Sequence, residues 1–207
     1  VPDIRLQGNG QTIADGDATP TSADFTDFGV AQVGGGQVTR TFTIQNTGTA
    51  VLTLTGTPRV RIVGAHAADF AVTAQPSTSI PAGGSATFEV TFDPNAAGTR
   101  TATVEIENDD PSESVYDFAI QGAGLGSTIL GLAWLDTNAD GQRDPGEPGL
   151  AGVTVYLDLD EDGQRNGGEP YVVSAEDDPE TTSIDEAGTY ALAGLDAGTH
   201  RVAQIPP

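Results

Sequence analysis

Short runs in which apolar and threonine-rich positions alternate fill this chain, and a period of two fits a strand and little else. In 38–45, Val38, Phe42 and Ile44 share one face while Thr39, Thr41 and Thr43 share the other. In 86–92, Phe88, Val90 and Phe92 alternate with Thr87, Glu89 and Thr91. In 101–107, Ala102, Val104 and Ile106 oppose Thr103, Glu105 and Glu107. Clusters of Gly, Pro, Asn and Asp at 34–36, 46–48, 81–84, 93–98 and 108–111 punctuate the runs as turns. No stretch carries a capped helical period, and Gly64–Phe70 is at most one short turn. Half-buried strands at this spacing predict an all-β chain of sandwich type. A strand ending in Phe118 and Ile120 runs into the glycines of 121–126, and a new apolar run starts at Ile129. We expect about nine strands before that point and six or seven after it, in two domains, 1–124 and 127–207.

The charge narrows the range of functions. The 207 residues hold 30 Asp and Glu against 8 Arg and no Lys, a formal net charge of −22. Counterion release cannot drive binding of such a chain to nucleic acid, and an anionic membrane surface repels it. No apolar run approaches the roughly 20 residues of a membrane span, so no membrane insertion is expected. Without Cys there is no disulfide, thiolate nucleophile or cysteine-held zinc. Without Lys there is neither Schiff-base chemistry nor a lysine isopeptide crosslink. The start at Val1, with no secretory leader, reads as a processed product or a piece of a longer protein. From Ser127 onward 16 acids face only three arginines, and most of those acids lie between Asp136 and Glu169. A cluster that dense calls for a counter-ion.

Two twelve-residue stretches supply its chemistry: 136–147, DTNADGQRDPGE, and 158–169, DLDEDGQRNGGE. Each puts oxygen side chains at positions 1, 3, 5, 9 and 12 and glycine at position 6, the spacing of an EF-hand calcium loop. A hard cation that takes six to eight oxygens is wrapped by one curled segment with a ligand at every second residue. The pattern assigns Asp136, Asn138, Asp140, the Gln142 carbonyl, Asp144 and Glu147 to one Ca2+. It assigns Asp158, Asp160, Asp162, the Gln164 carbonyl, Asn166 and Glu169 to a second. Glu147 and Glu169 would close each sphere through both oxygens. Magnesium, which prefers a tight octahedron and retained waters, fits less well. Flanking helices are absent: Pro148 and Pro170 follow the loops, and apolar strands border them. A third calcium site at Asp177, Asp178, Glu180 and Asp185 is possible, while Asp15, Asp17, Asp24 and Asp27 read better as loop-forming Asx turns. Trp134 reads as a core or sheet-edge side chain, and His66 and His200 have no nucleophile motif near them, so no catalytic residue is assigned.

Two family resemblances sharpen this picture. The segments ADGDATPTSADFTDFG, VTRTFTIQNTGTAVLTL, HAADFAVTAQPSTSIPAGGSATFEVTFDP and TRTATVEIENDD, then YDFAIQGAG, resemble the bacterial choice-of-anchor D domain, a relative of the Hydin-like (ASH) immunoglobulin folds, over about Asp3–Gly124. Trp134-x-Asp136-x-Asn138-x-Asp140-Gly141, Asp144-Pro145-Gly146-Glu147-Pro148-Gly149, the second loop, Gly188-x-Tyr190 and Gly198-x-His200-x-Val202 resemble the calcium-binding SdrD B-like repeat of surface adhesins, a Cna-B-like sandwich, over 127–207. His200 stands where that family commonly has an aromatic residue. Together the resemblances imply two tandem immunoglobulin-like β-sandwich domains, the second with EF-hand-like calcium loops. The implied role is a non-enzymatic structural module of a bacterial surface adhesin, stalk or filament, extracellular or secreted. Its partners would be calcium ions and neighbouring domains or subunits of the same surface protein. The alternatives are a ligand-binding adhesin head, an accessory module of a secreted hydrolase, and a subunit that polymerises through an exposed edge strand.

Overall fold

The alternating runs become hydrogen-bonded ladders in the computed structural model, which describes residues 1–180, 185–196 and 198–207. The strands fall into two units, Val1–Gly126 and Ser127–Pro207.

The first unit holds β1 (Ile4–Gly8), β2 (Gln11–Ile13), β3 (Asp27–Gln32), β4 (Val38–Asn46), β5 (Leu52–Thr53), β6 (Arg61–Val63), β7 (Phe70–Ala74), β8 (Ser79–Ile80), β9 (Ser85–Phe92), β10 (Gly98–Glu107) and β11 (Val115–Leu125). One sheet runs β2-β1-β4-β9-β7 and the other β3-β11-β10-β6, with β5 and β8 as a separate two-stranded ladder. All pairs are antiparallel except β3 beside β11. The faces predicted to be apolar point inward: Phe42 and Ile44 of β4, Phe88 and Val90 of β9, and Val104 and Ile106 of β10 are fully buried. Register follows from that burial, since a slip by one residue would turn the whole Phe and Val set to solvent. In β4 and β9 the register places Phe42 opposite Phe88, with ring centroids 5.3 Å apart. Phe118 of β11, in the facing sheet, lies 5.6 Å from Phe42, so the rings bind the two layers together. Between β6 and β7 the Gly64–Phe70 stretch forms one 3-10 turn, Ala67–Asp69.

The second unit holds β12 (Ser127–Leu132), β13 (Thr154–Leu157), β14 (Tyr171–Val173), β15 (Thr189–Leu195) and β16 (Val202–Ile205). They form a β12-β15 pair and a β14-β13-β16 sheet. Its buried apolar cluster is six residues, Ala133, Val153, Val155, Leu157, Leu192 and Leu195, against 21 in the first unit. The strand counts differ from those expected. The first unit has eleven rather than nine, because β5 and β8 pair over only two residues each; the second has five among the described residues. The reason is physical: the acidic stretches of the second unit place their polar atoms against their own backbone, which leaves short ladders between them.

Candidate metal centre

Both acidic loops sit where two chain segments are pinned side by side. Leu135 donates its N–H to the Pro148 carbonyl at 3.0 Å, and Leu157 donates to Pro170 at 2.9 Å. Paired extended backbone therefore closes each loop, a single antiparallel bridge from Trp134 to Gly149 in one case and β13 paired with β14 in the other. Strands do here what flanking helices do in an EF-hand.

Within the loops the backbone repeats itself. Position 4 is left-handed in both, with φ of 59° at Ala139 and 60° at Glu161. Position 6 follows at 76° for Gly141 and 74° for Gly163, and position 11 at 100° for Gly146 and 101° for Gly168. The two glycine positions need no Cβ, and glycine alone adopts such angles without strain.

The side chains repeat as well. The position-1 carboxylate takes the N–H of the position-6 glycine, Gly141 to Asp136 at 2.8 Å and Gly163 to Asp158 at 3.1 Å. The position-5 carboxylate takes the N–H of position 7, Gln142 to Asp140 at 2.8 Å and Gln164 to Asp162 at 2.7 Å. Glu147 accepts the N–H groups of Thr137 (2.8 Å) and Asp144 (3.0 Å) on its two oxygens. Glu169 does the same with Leu159 (2.8 Å) and Asn166 (2.7 Å). Both glutamates are buried, so each closing carboxylate also ties together the two ends of its own loop. The N–H bonds from Asp144 and Thr137 hold the Glu147 carboxyl below the usual carboxylate range.

One difference is reciprocal. In the first loop Asn138, at position 3, donates from its amide to Asp140 (3.3 Å) and Asp144 (2.8 Å). In the second the asparagine is at position 9, and Asn166 donates to Asp160 and Asp162, at 3.0 Å each. The Asn166 amide is the main reason the Asp162 carboxyl titrates below its ordinary range. Either way, one amide at position 3 or 9 knits together the two acids at the remaining positions of 3, 5 and 9.

Convergence is greatest in the second loop. Asp158, Asp160 and Asp162 each offer an oxygen within 4.8 Å of the others, the only such acidic, His or Cys group among the described residues. Asp158 is 3% exposed, and its Oδ1 is buried with no hydrogen-bond donor. A carboxylate oxygen withdrawn from water and left unpartnered is costly unless something positive meets it. The second loop therefore fits a hard divalent cation by its oxygen chemistry, its spacing and this orphaned atom. Asn138, Asp140, Gln142 and Asp144 of the first loop are exposed and Asp136 is half-buried, so that loop presents the same donors in a more open setting.

Five of the other acidic candidates accept an N–H two residues on, as in Asx turns, while Asp15 accepts the Asp117 N–H at 2.9 Å. Asp17 accepts from Thr19, Asp24 from Thr26, and Asp27 from Gly29, each two residues on. Asp178 and Asp185 accept from Glu180 and Ala187 in the same way, and Asp177, Asp178, Glu180 and Asp185 do not converge. His66 accepts the Thr101 N–H at 3.0 Å, and the His200 ring lies 2.9 Å from the Asp196 carbonyl, both local contacts. Trp134 is half-buried. Sequence reasoning missed Arg201, whose Nε lies 3.3 Å from the Asp158 carboxylate, and Arg165, whose guanidinium lies 3.7 Å above the Tyr171 ring.

Residues 21–123 match the model of the HYDIN/CFA65/VesB-like Ig-like domain, and residues 127–207 match that of the SdrD B-like domain. The two matches follow one another along the chain in that order. No curated protein matches it. Among solved structures, a Porphyromonas gingivalis protein of unknown function is 17% identical, with 59% of this chain and 46% of that one covered and a TM-score of 0.40. The secreted serine protease VesC of Vibrio cholerae is 15% identical, with coverages of 87% and 49% and a TM-score of 0.39. BcpA, the major pilin subunit of Bacillus cereus, is 12% identical, with coverages of 99% and 59% and a TM-score of 0.31. The chain spans about half the length of each of these structures, from 46% to 59%. An Ig-like domain followed by an SdrD B-like domain fits a structural module of a surface protein. No helix among the described residues is long and apolar enough to cross a membrane.

Proposed function

We propose that this chain is a non-enzymatic, extracellular structural module of a bacterial surface adhesin, stalk or filament, and that two calcium ions stabilise and stiffen its SdrD B-like domain. The buried, unpartnered Asp158 Oδ1, on a residue that converges with Asp160 and Asp162 in a loop whose backbone the first loop duplicates, carries this reading. Asp136, Asn138, Asp140, Gln142, Asp144 and Glu147 would hold one ion, and Asp158, Asp160, Asp162, Gln164, Asn166 and Glu169 the other. When bound, calcium supplies positive charge that offsets four carboxylates in each loop. Those carboxylates otherwise repel one another by about 1 kcal/mol per pair at ~5 Å, even at the dielectric of water. Glu147 and Glu169 hold the two ends of each loop together, so an ordered loop fixes the strands that close it.

The small apolar cluster of the second unit supports this role for an ion, because a domain with little core needs another source of stability. With no cysteine in the chain, a disulfide cannot be that source. Largely exposed loops suit the weak class of calcium sites, with dissociation constants of about 10⁻⁴–10⁻³ M, which fill only in extracellular fluid. Tyr171 is the sole aromatic among the exposed large apolar side chains described, and Arg165 already covers its ring, which favours a structural role over an adhesin head with an aromatic platform. Titration calorimetry of the metal-stripped chain with CaCl2 tests the proposal: two ions per chain are expected, one after Asp158→Asn combined with Asp160→Asn. Absence of heat up to millimolar calcium would refute it.

A further inference from the structure

The two loops share a backbone but not an electrostatic setting. Asp158 is fastened to the residue that leads into β16. Its N–H donates to the Arg201 carbonyl at 3.0 Å, and its Oδ2 meets the Arg201 Nε at 3.3 Å. The same guanidinium donates from Nη1 to the Glu161 carbonyl at 3.2 Å and lies 4.0 Å from the Glu161 carboxylate. The first loop has no counterpart. Asp136 is satisfied by two backbone N–H groups, from Asp140 at 3.3 Å and Gly141 at 2.8 Å, and no arginine forms an ion pair with that loop among the described residues.

Resting on the calcium reading above, we propose that Arg201 is a tethered counter-ion of the second loop: it steadies that loop without metal and thereby weakens its calcium binding relative to the first. The direction follows from charge. Empty, the second loop presents Arg201 with five carboxylates, the four ligands and the largely exposed Glu161; a doubly charged ion cancels two of those five charges. Arg201 is therefore held more strongly by the empty loop than by the filled one. A group that favours one state of a binding equilibrium opposes the ligand that favours the other. Arg201 could instead aid binding by aiming Asp158, but Gly163 already holds the same Oδ2 from its N–H at 3.1 Å, with Oδ1 buried and unpartnered. Aim does not depend on the arginine; charge does.

For a guanidinium and a divalent ion about 7 Å apart in a water-like dielectric, the effect is about three- to tenfold in affinity. The first loop, with no arginine ion-paired to its carboxylates among the described residues, fills first. The second keeps its shape and its hold on β16 when calcium is scarce.

The test uses the full chain, metal-stripped, as wild type, Arg201→Gln and Arg201→Lys. Stepwise titration with CaCl2 should resolve two site classes in the wild type. Arg201→Gln should tighten the weaker class about three- to tenfold and leave the tighter class alone, while Arg201→Lys, which keeps the charge, should match the wild type within about twofold. In EGTA the second unit of Arg201→Gln should unfold at a lower temperature than wild type, and calcium should narrow that gap. A weaker class that loosens or stays put in Arg201→Gln, or a gap equal in EGTA and calcium, overturns the inference while the calcium reading stands. If the wild type takes up no calcium, the reading beneath it has failed as well. Should Arg201→Gln not fold, equal affinities at the two wild-type sites would overturn the inference on their own.

Discussion

Removing calcium should melt one half of this chain and leave the other alone. Each ion bound to a folded loop at about 100 times its dissociation constant adds about 2.7 kcal/mol, so two add about 5 kcal/mol. The dissociation constants assumed are about 10⁻⁴ M, which makes about 10 mM CaCl2 sufficient. In a domain of 60–100 residues, each kcal/mol moves the midpoint by about 4–8 °C. The second unit spans Ser127–Pro207 and falls in that range, so EGTA should lower its transition by about 20–40 °C. The first unit, with 21 buried core residues and with Asp17, Asp24 and Asp27 satisfied by turns, should move by no more than a few degrees. Differential scanning calorimetry in matched calcium and EGTA buffers separates the two endotherms. Because the chain carries a net charge of −22, any divalent salt relieves some general repulsion. An equal concentration of MgCl2 measures that background and should give a clearly smaller shift. Endotherms at the same temperatures with and without calcium would refute the reasoning, as would calcium and magnesium shifts of equal size.

Two further outcomes concern the first unit. Tyr116 is buried and donates its hydroxyl to the Ile13 carbonyl at 2.6 Å, and burial above all pushes its phenol up to about 12 from an unfolded value of 10.0. The folded chain thus holds a proton that the unfolded chain releases, so this contribution is complete below pH 10.0 and is lost as pH rises toward about 12; with no lysine in the chain and no other tyrosine in the first unit, that unit's own transition should show the slope in wild type and lose it in Tyr116→Phe. Asp69, with a fully buried side chain, is paired with Arg100 at 2.6 Å and accepts the Asn95 N–H at 2.9 Å. Arg100→Gln leaves that buried charge without its partner and should cost the first unit about 3 kcal/mol in urea unfolding, with the second unit unchanged.

Alternation made the first unit legible, because each strand of its sandwich buries one face and keeps the other wet. Phe42, Phe88, Val104 and Phe118 could be placed inside by counting in twos. Such a count could not find β5 and β8, since two-residue ladders carry no period, nor the parallel seating of β3 on β11, which no local pattern encodes. The acidic loops were legible for another reason. Spacing of oxygen side chains is itself the chemistry of a hard cation, and position 6 admits little besides glycine at φ near +75°. Two features of the loops escaped the sequence: the second hydrogen-bonding duty of Glu147 and Glu169, and Arg201. A glutamate that joins loop ends is written the same way as one that only faces an ion. Arg201 lies 43 positions after Asp158, at the start of a different strand, so only the fold brings the pair together.

That last pairing bears on how the two loops divide their work. Where the first loop carries Asn138 at position 3 and Asp144 at position 9, the second carries Asp160 and Asn166, so the amide moves but the number of ligand carboxylates does not. Equal ligand charge on equal backbones would give equal sites; the extra carboxylate of the second loop, Glu161 where the first has Ala139, is largely exposed and screened, which leaves the main inequality to a group outside the loops. Among the described residues Arg201 is the only cation paired with either loop, and it acts on a position-1 aspartate whose side chain is fully buried, where a charge is screened least. On the calcium proposal, a duplicated loop with one external cation would spread the response of a single domain over a range of calcium concentrations without altering a ligand. The same logic predicts the reverse construction: placing a basic residue beside Asp136 should weaken the first site and protect the ion-free domain, and a variant that weakened the site without raising the ion-free melting temperature would contradict it.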